Sequence, residues 1–298
     1  MRSRPTKRRP VRRRSPLAPL KISCWAKTDV GQRREHNEDS HLMDPNLNLF
    51  IVADGMGGHA GGDTASRMAV EIVRDRVHEA NHQGDLFSRQ AIEAGSPAIL
   101  KMLEGAIKEA SEAIYAASDT RPELTGMGTT TTLLLLVGKR GYVAHVGDSR
   151  LYRYRRGKLE QMSEDHSLVN EQVKAGFITA EEAQYSRFRN IITRSVGFES
   201  DVTADTFTIS LESSDTYFLC SDGLSGMVSD KDISRIFSSG SLAGAVERLV
   251  AEANQNGGED NITVIALNCK NGTGGSTLVR RKPRRQRKQT PRKRSEKF

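Results

Sequence analysis

Apolar residues recur along this chain with two distinct periods. Asn48 to Ala53 (NLFIVA) is a continuous apolar run ending in Asp-Gly, which predicts a buried strand emptying into a loop. From Ala65 to Ala80, Met68, Ala69, Ile72, Val73 and Val77 fall at helical spacing. Pro97 to Ala117 repeats that spacing with Ile99, Leu103, Ala106, Ile107, Ala110 and Ile114 on one face. The period then shortens. Thr129 to Val137 is rich in Thr, Leu and Val, Gly138-Lys-Arg-Gly141 turns, and Tyr142 to Val146 returns as the second arm of a hairpin. Leu151 to Arg155, Asp205 to Leu211, Thr216 to Cys220 and Ile262 to Leu267 read as further strands. Ile233 to Phe237 and Leu242 to Ala253 read as helices. Two helices after an early strand, followed by hairpins, predict antiparallel sheets with helices packed outside rather than an alternating parallel fold. Ser163 to Gly197 is long, polar and irregular, as expected of a mobile insertion over a site.

Composition narrows the class. The chain has 298 residues, 36% of them hydrophobic, which suits one large domain or two small ones. Its longest apolar stretch, Leu133 to Val137, is strand-sized and far short of a membrane span. Cys24, Cys220 and Cys269 are odd in number and lack metal-binding spacing, which favours buried thiols in a reducing cytoplasm. The net charge of +8 is unevenly placed. Met1 to Ser15 holds eight Lys/Arg and no acid, and Lys270 to Phe298 holds twelve Lys/Arg and one acid, so the tails carry +19 and the body −11. Such blocks are usually disordered. They serve either as solvated tails or as contacts for nucleic acid, an anionic membrane or an acidic protein. No apolar segment follows the N-terminal run as a secretory signal requires, while its Arg-rich, acid-poor character leaves an organellar transit peptide open.

Four short acidic stretches carry the chemistry: Arg34-Glu-His-Asn-Glu-Asp39, Asp54-Gly-Met-Gly-Gly-His59, Ser221-Asp-Gly223 and Glu259-Asp-Asn261. Aspartates beside Gly, Ser or Asn at strand ends suit hard divalent cations, which take carboxylate, carbonyl and water oxygens. Two such ions together can activate water and clamp a phosphate. Asp54 could bridge two ions, and the carbonyl of Gly55 could approach one closely because no side chain blocks it. Read singly, Asp54-Gly55 is equally a turn, and Asp222 and Asp260 are equally caps. Gly147-Asp-Ser-Arg150 is equally a tight turn with an internal Asp–Arg pair. Arg34 offers a fork for a phosphate dianion or is a surface arginine. His59 could protonate a leaving oxygen or lie idle in solvent.

The order and flanks of these stretches remove most of that ambiguity. Together with Met127-Gly-Thr-Thr130, Gly147-Asp-Ser-Arg150, Asp165-His-Ser-Leu168, Arg189-Asn-Ile-Ile-Thr-Arg194 and Ser221-Asp-Gly-Leu224, they resemble the metal-dependent protein phosphatases of the 2C type. The Gly-Met-Gly-Gly-His and Asp-His-Ser-Leu forms resemble the bacterial branch. The likeness covers about Thr28 to Leu267. One departure lies in the irregular insertion: bacterial relatives often carry His-Pro ahead of the Arg-Asn, where this chain has Tyr185-Ser186-Arg187-Phe188.

The resemblance implies an α+β fold, a four-layer α-β-β-α sandwich of two antiparallel sheets flanked by helices. It implies a binuclear Mn²⁺ or Mg²⁺ centre between the sheets. Asp54 would bridge both ions, the Gly55 carbonyl would join one, Asp222 and Asp260 would hold the other, and Asp39 would reach the centre through water. Asp148 with Asp222 would form a weaker third site. Arg34 would hold substrate phosphate and His59 would be the general acid. Residues 163–197 would be the family's flap. The implied reaction is hydrolysis of phosphoserine and phosphothreonine on proteins, opposing a Ser/Thr kinase, by a monomeric cytoplasmic enzyme. The expected organisation is a basic tail over 1–21, a catalytic domain over 22–268 and a second basic tail over 269–298. Two other classes were weighed. A non-catalytic phosphoprotein-binding scaffold would be favoured by loss of Asp54, Asp222 or Asp260, all of which are present. A nucleic-acid-binding protein would have to work through its tails, since the body is acidic.

Overall fold

The computed structural model describes residues 20–58, 60–83 and 97–271. Eleven strands form two sheets. In the first, β1 (Leu20–Asp29), β11 (Ile262–Asn271), β10 (Thr216–Cys220), β7 (Arg150–Arg155) and β8 (Lys158–Gln161) lie in that order. In the second, β2 (Asp39–Asp44), β3 (Leu49–Met56), β5 (Thr131–Val137), β6 (Arg140–Val146) and β9 (Asp205–Ser210) follow one another, and the two-residue β4 (Gly128–Thr129) pairs with the end of β3. Every strand pairing within the sheets is antiparallel.

Strand alternation sorts the apolar side chains into three layers. Phe50, Val52, Leu134 and Val143 of the second sheet meet Tyr217, Leu219 and Ile265 of the first between the sheets. Leu49, Ile51, Leu133 and Leu135 point the other way, onto α1 (Ala60–Gln83) and α2 (Pro97–Thr120). Phe218, Val264 and Ala266 point away on the opposite side, onto α6 (Asp230–Phe237) and α7 (Leu242–Gln255). The result is the α-β-β-α sandwich. Side chains such as Phe50 and Leu134 are fully buried, each contributing roughly 1.5–3 kcal/mol by leaving water.

Several elements depart from the sequence reading. β1, β2 and β8 are strands that the pattern does not reveal. β3 runs on through Asp54-Gly55-Met56 instead of ending at Ala53, because Gly55 and Met56 pair with β4. The folded body spans two residues more at its start and three more at its end than 22–268, because β1 and β11 pair from Leu20 to Asn271. The insertion is not featureless. α3 (Leu168–Lys174) is capped by Ser167, and α4 (Ala180–Gln184) starts from a capping box between Thr179 and Glu182. α5 (Asp222–Ser225) is a single turn. Among the described residues no helix is long and apolar enough to cross a membrane. The three cysteines are free, and burial pushes the Cys220 and Cys269 thiols up to about 12, as expected of inert structural thiols. The basic tails, residues 1–19 and 272–298, lie outside the described residues.

Candidate active site

Alternation along β3 places Asp54 on the same face as Phe50 and Val52, so it continues the inter-sheet layer at the point where that layer opens to solvent. Its antiparallel neighbour on β2 is Asp39. The facing sheet supplies the other carboxylates at its strand ends. Asp222 follows β10 and opens α5, and Asp260 precedes β11 by two residues. Asp148 sits in the turn between β6 and β7. Asp54, Asp148, Asp222 and Asp260 line one cavity of about 670 Å³, together with Arg34 and Glu38.

Polar side chains fix this geometry. The Asp54 N–H donates to Thr130 Oγ1 at 2.9 Å, and Thr130 N–H and Thr129 Oγ1 both donate to the Asp54 carbonyl at 2.9 Å. Ser221 Oγ donates to Asp39 Oδ2 at 2.8 Å and accepts from Thr263 N–H at 3.0 Å. Asn261 uses its whole amide on the loop before β2: Nδ2 donates to the carbonyls of Val30 and His36, and Oδ1 accepts from Glu38 N–H at 2.8 Å. Gly55 must be glycine, although for a different reason than open access to an ion. A Cβ there would collide with the Gly62 carbonyl in α1 and lie 2.6 Å from that of Glu38.

Burial of so many acids is expensive without compensation. Burial, offset by hydrogen bonds from Thr263 and Ser221 and reinforced by Asp222 and Asp260, raises Asp39 to about 7. Burial and then the charges of Asp39, Asp222 and Asp148 hold Asp54 well above the usual carboxylate range. Burial followed by Asp222 does the same to Asp148, and burial followed by Asp260 raises Asp222. One oxygen in each of Asp39, Asp148 and Asp222 is buried without a hydrogen-bond partner. Oxygens left unpaired in a carboxylate cluster fit hard divalent cations, which take such oxygens as ligands and cancel the repulsion. Among the described residues no group of three His, Cys, Asp or Glu side chains is placed to hold an ion alone. Each ion would therefore complete its shell with carbonyl and water oxygens, as Mg²⁺ and Mn²⁺ commonly do.

The sequence-derived candidates converge here, with three qualifications. Arg34 lines the cavity, half-exposed, and its Nη2 donates to Asp260 Oδ2 at 2.7 Å. His59 lies outside the described residues. The internal Asp148–Arg150 pair does not form. Arg150 instead grips Asp165, with Nε 3.0 Å from both carboxylate oxygens and Nη2 2.6 Å from Oδ2, which leaves Asp148 to the cavity. Sequence reasoning missed Glu38 and Arg194, which also line it. Glu38 precedes Asp39 directly, and that adjacency was the available signal. Arg194 stands at the end of the insertion, with Nη1 2.7 Å from Asp205 Oδ1.

Comparison with known proteins bears on this arrangement. The family model for protein phosphatase 2C matches residues 30–262. The serine/threonine phosphatase stp of Listeria monocytogenes is 39% identical over 245 residues, covering 81% of this chain and 93% of its own length. The crystal structure of the Mycobacterium tuberculosis serine/threonine phosphatase PstP superposes with a TM-score of 0.75 at 33% identity, over 85% of this chain and all of that one. A PstP catalytic domain in complex with two manganese ions gives a TM-score of 0.71 at 34% identity, over 85% of this chain and again all of that one.

Proposed function

The chain belongs to the protein phosphatase 2C family, and we infer from that premise that its carboxylate-lined cavity is where it removes phosphate from proteins. The activity is that of a metal-dependent protein-serine/threonine phosphatase with a binuclear Mn²⁺ or Mg²⁺ centre. The observation that carries the site is the meeting of carboxylates from both sheets in one cavity, with unpartnered oxygens on Asp39, Asp148 and Asp222.

Bound at such a cluster, two divalent cations acidify a water molecule and neutralise phosphate oxygens. The residues divide the remaining work. Asp54, held by Thr129 and Thr130, would serve as a ligand to both ions, with the Gly55 carbonyl as a further ligand. Asp222 and Asp260 would supply ligands from the facing sheet, and Asp148 with Asp222 would offer a weaker third site. Asp39 orients water, held in place by Ser221. Arg34, at the cavity wall beside Asp260, would bind two oxygens of the phosphate dianion. His59 delivers a proton to the departing Ser or Thr oxygen. No covalent intermediate is required, because neither a nucleophilic Cys nor a phospho-accepting Asp motif is present.

Residues 20–271 form the catalytic domain, with the flap over 163–197. One chain carries every named site residue, which supports a monomer as the working unit, and free buried thiols support a cytoplasmic setting. The basic tails act as tethers to nucleic acid, anionic membrane or acidic protein, in keeping with their charge. Phosphate release from a phosphothreonine peptide tests the activity. Release that requires Mn²⁺ and stops with EDTA is expected, and equal release in EDTA would contradict the reading.

A further inference from the structure

One wall of the cavity is left unused by the chemistry above. Residues 196–201 form it, and α2 fixes it from behind. Thr129 and Val196 exchange backbone hydrogen bonds of 2.9 and 2.8 Å. Ser111 of α2, fully buried, accepts from Gly197 N–H at 2.8 Å and donates to the Glu199 carbonyl at 2.8 Å. Gly197 has φ +91°, and a Cβ there would collide with Ile114 of the same helix. This backbone has little freedom to move.

The wall presents Phe198, 64% exposed, with Glu199 and Asp201 beside it, and all three line the cavity. A single exposed aromatic is ordinary on a protein surface. An aromatic ring held on rigid backbone at the wall of a reaction site is less so, since preorganised side chains of this kind lose little freedom on binding. The charges around it are also asymmetric. Among the described residues Glu199 has no ion-pair partner, and Asp201 is paired only with exposed Lys108 at 2.8 Å. The two arginines lining the cavity are both engaged, Arg34 with Asp260 and Arg194 with Asp205. The free charge on this wall is therefore negative, next to a centre that takes a phosphate dianion.

We propose that Phe198, Glu199 and Asp201 form a subsite for side chains flanking the phosphoresidue, and that it favours phosphopeptides with Lys or Arg beside the phosphothreonine over those with acidic neighbours. The proposal rests on the phosphatase reading. A peptide cation satisfies both features at once: its charge sits against the Glu199 carboxylate and over the face of the Phe198 ring. An acidic neighbour meets like charge and gains nothing from the ring. Phe198, Glu199 and Asp201 line the same cavity as Asp54 and Asp222, so a phosphoresidue seated there would bring its chain neighbours to this wall.

The test uses the full-length protein with saturating Mn²⁺. Three phosphothreonine peptides differ only in carrying Lys, Ala or Glu at the flanking positions. For the wild type, kcat/KM should fall in the order Lys, Ala, Glu, spanning about tenfold and mostly through KM. Each value is compared with turnover of an aryl phosphate by the same protein, which reports whether the centre is intact. Phe198→Ala and Glu199→Gln should each shrink the Lys-to-Glu ratio by about fivefold, and Glu199→Lys should reverse it. Equal rates on the three peptides, or a ratio that survives Glu199→Lys, would overturn the subsite. Absence of Mn²⁺-dependent aryl phosphate turnover in the wild type would overturn the phosphatase reading and the subsite with it.

Discussion

The Ser221 hydroxyl donates to Asp39 Oδ2 at 2.8 Å across a sequence separation of 182 residues. Ser221 directly follows β10 of one sheet, and Asp39 opens an edge strand of the other. The bond therefore joins the two sheets where they open into the cavity. It also leaves the second Asp39 oxygen unpartnered and buried. Ser221→Ala should loosen Asp39 without removing any cation-binding oxygen. Loss of such an orienting partner typically weakens metal affinity by about 10–100-fold. The Mn²⁺ concentration for half-maximal turnover should rise by about that factor, with kcat at saturating Mn²⁺ largely kept. An unchanged Mn²⁺ requirement would remove Ser221 from this positioning role.

The raised carboxylates make a prediction about pH. Asp39 keeps its proton up to about 7 in the folded protein, against an ordinary value of 3.8 when unfolded. Between those values the native state binds more protons, so the stability of the metal-free protein falls as pH rises through this window. Asp54, Asp148 and Asp222 are shifted the same way. In EDTA the Tm should decline between about pH 5 and about pH 7, inside the Asp39 window, and saturating Mn²⁺ should abolish the decline because cations replace the protons. Calorimetry in buffers of different ionisation heat should also show proton release when Mn²⁺ binds. A Tm in EDTA that climbs across this range would contradict the electrostatic account.

Binding and proton delivery should separate kinetically. Arg34 is half-exposed at the cavity wall, and its proposed contact with phosphate would form already in the ground state. Arg34→Ala should raise KM by about tenfold with a smaller change in kcat. His59→Ala should lower kcat on a phosphothreonine peptide by about a hundredfold and much less on an aryl phosphate, whose leaving group needs no proton. Equal losses on the two substrates would exclude His59 as general acid.

The sequence reveals the strands inside the sheets, and of the edge strands it reveals β9 but hides β1, β2 and β8. β3, β5, β10 and β11 sit inside their sheets and read as apolar runs. β1 (LKISCWAKTD) and β2 (DSHLMD) are edge strands, and solvent on one side admits Lys, Ser, His and Asp into their pattern. The first turn of α1 (AGGDT) has no apolar period, so the helix begins five residues before its pattern does. The aspartates of the site are legible because each stands beside Gly, Ser or Asn at a strand end. Their supports are not. Ser221, Asn261 and Thr130 act on partners that only the folded topology brings near. The Thr179–Glu182 capping box has the T-x-x-E spacing but no apolar run follows to mark it as a helix start.

The basic tails carry a net charge of +19 against −11 for the body. Removing residues 2–19 and 272–298 should leave aryl phosphate turnover within about twofold, since no tail residue is assigned to the transition state. The full chain should bind DNA or anionic vesicles at low salt and lose that binding steeply as salt rises. Collapse of turnover on deletion would assign the tails to the fold or the site, and absence of low-salt binding would leave them as solvated extensions.

Carboxylates from both sheets are proposed to hold two divalent cations, with Asp54 a ligand to both. Turnover of Asp54→Asn at saturating Mn²⁺, in protein whose folding is checked by circular dichroism, tests this most directly. The account predicts a loss of about two orders of magnitude or more, because the substitution removes the charge and one of the oxygens that a bridge requires. Turnover at the wild-type rate in Asp54→Asn would contradict the binuclear assignment.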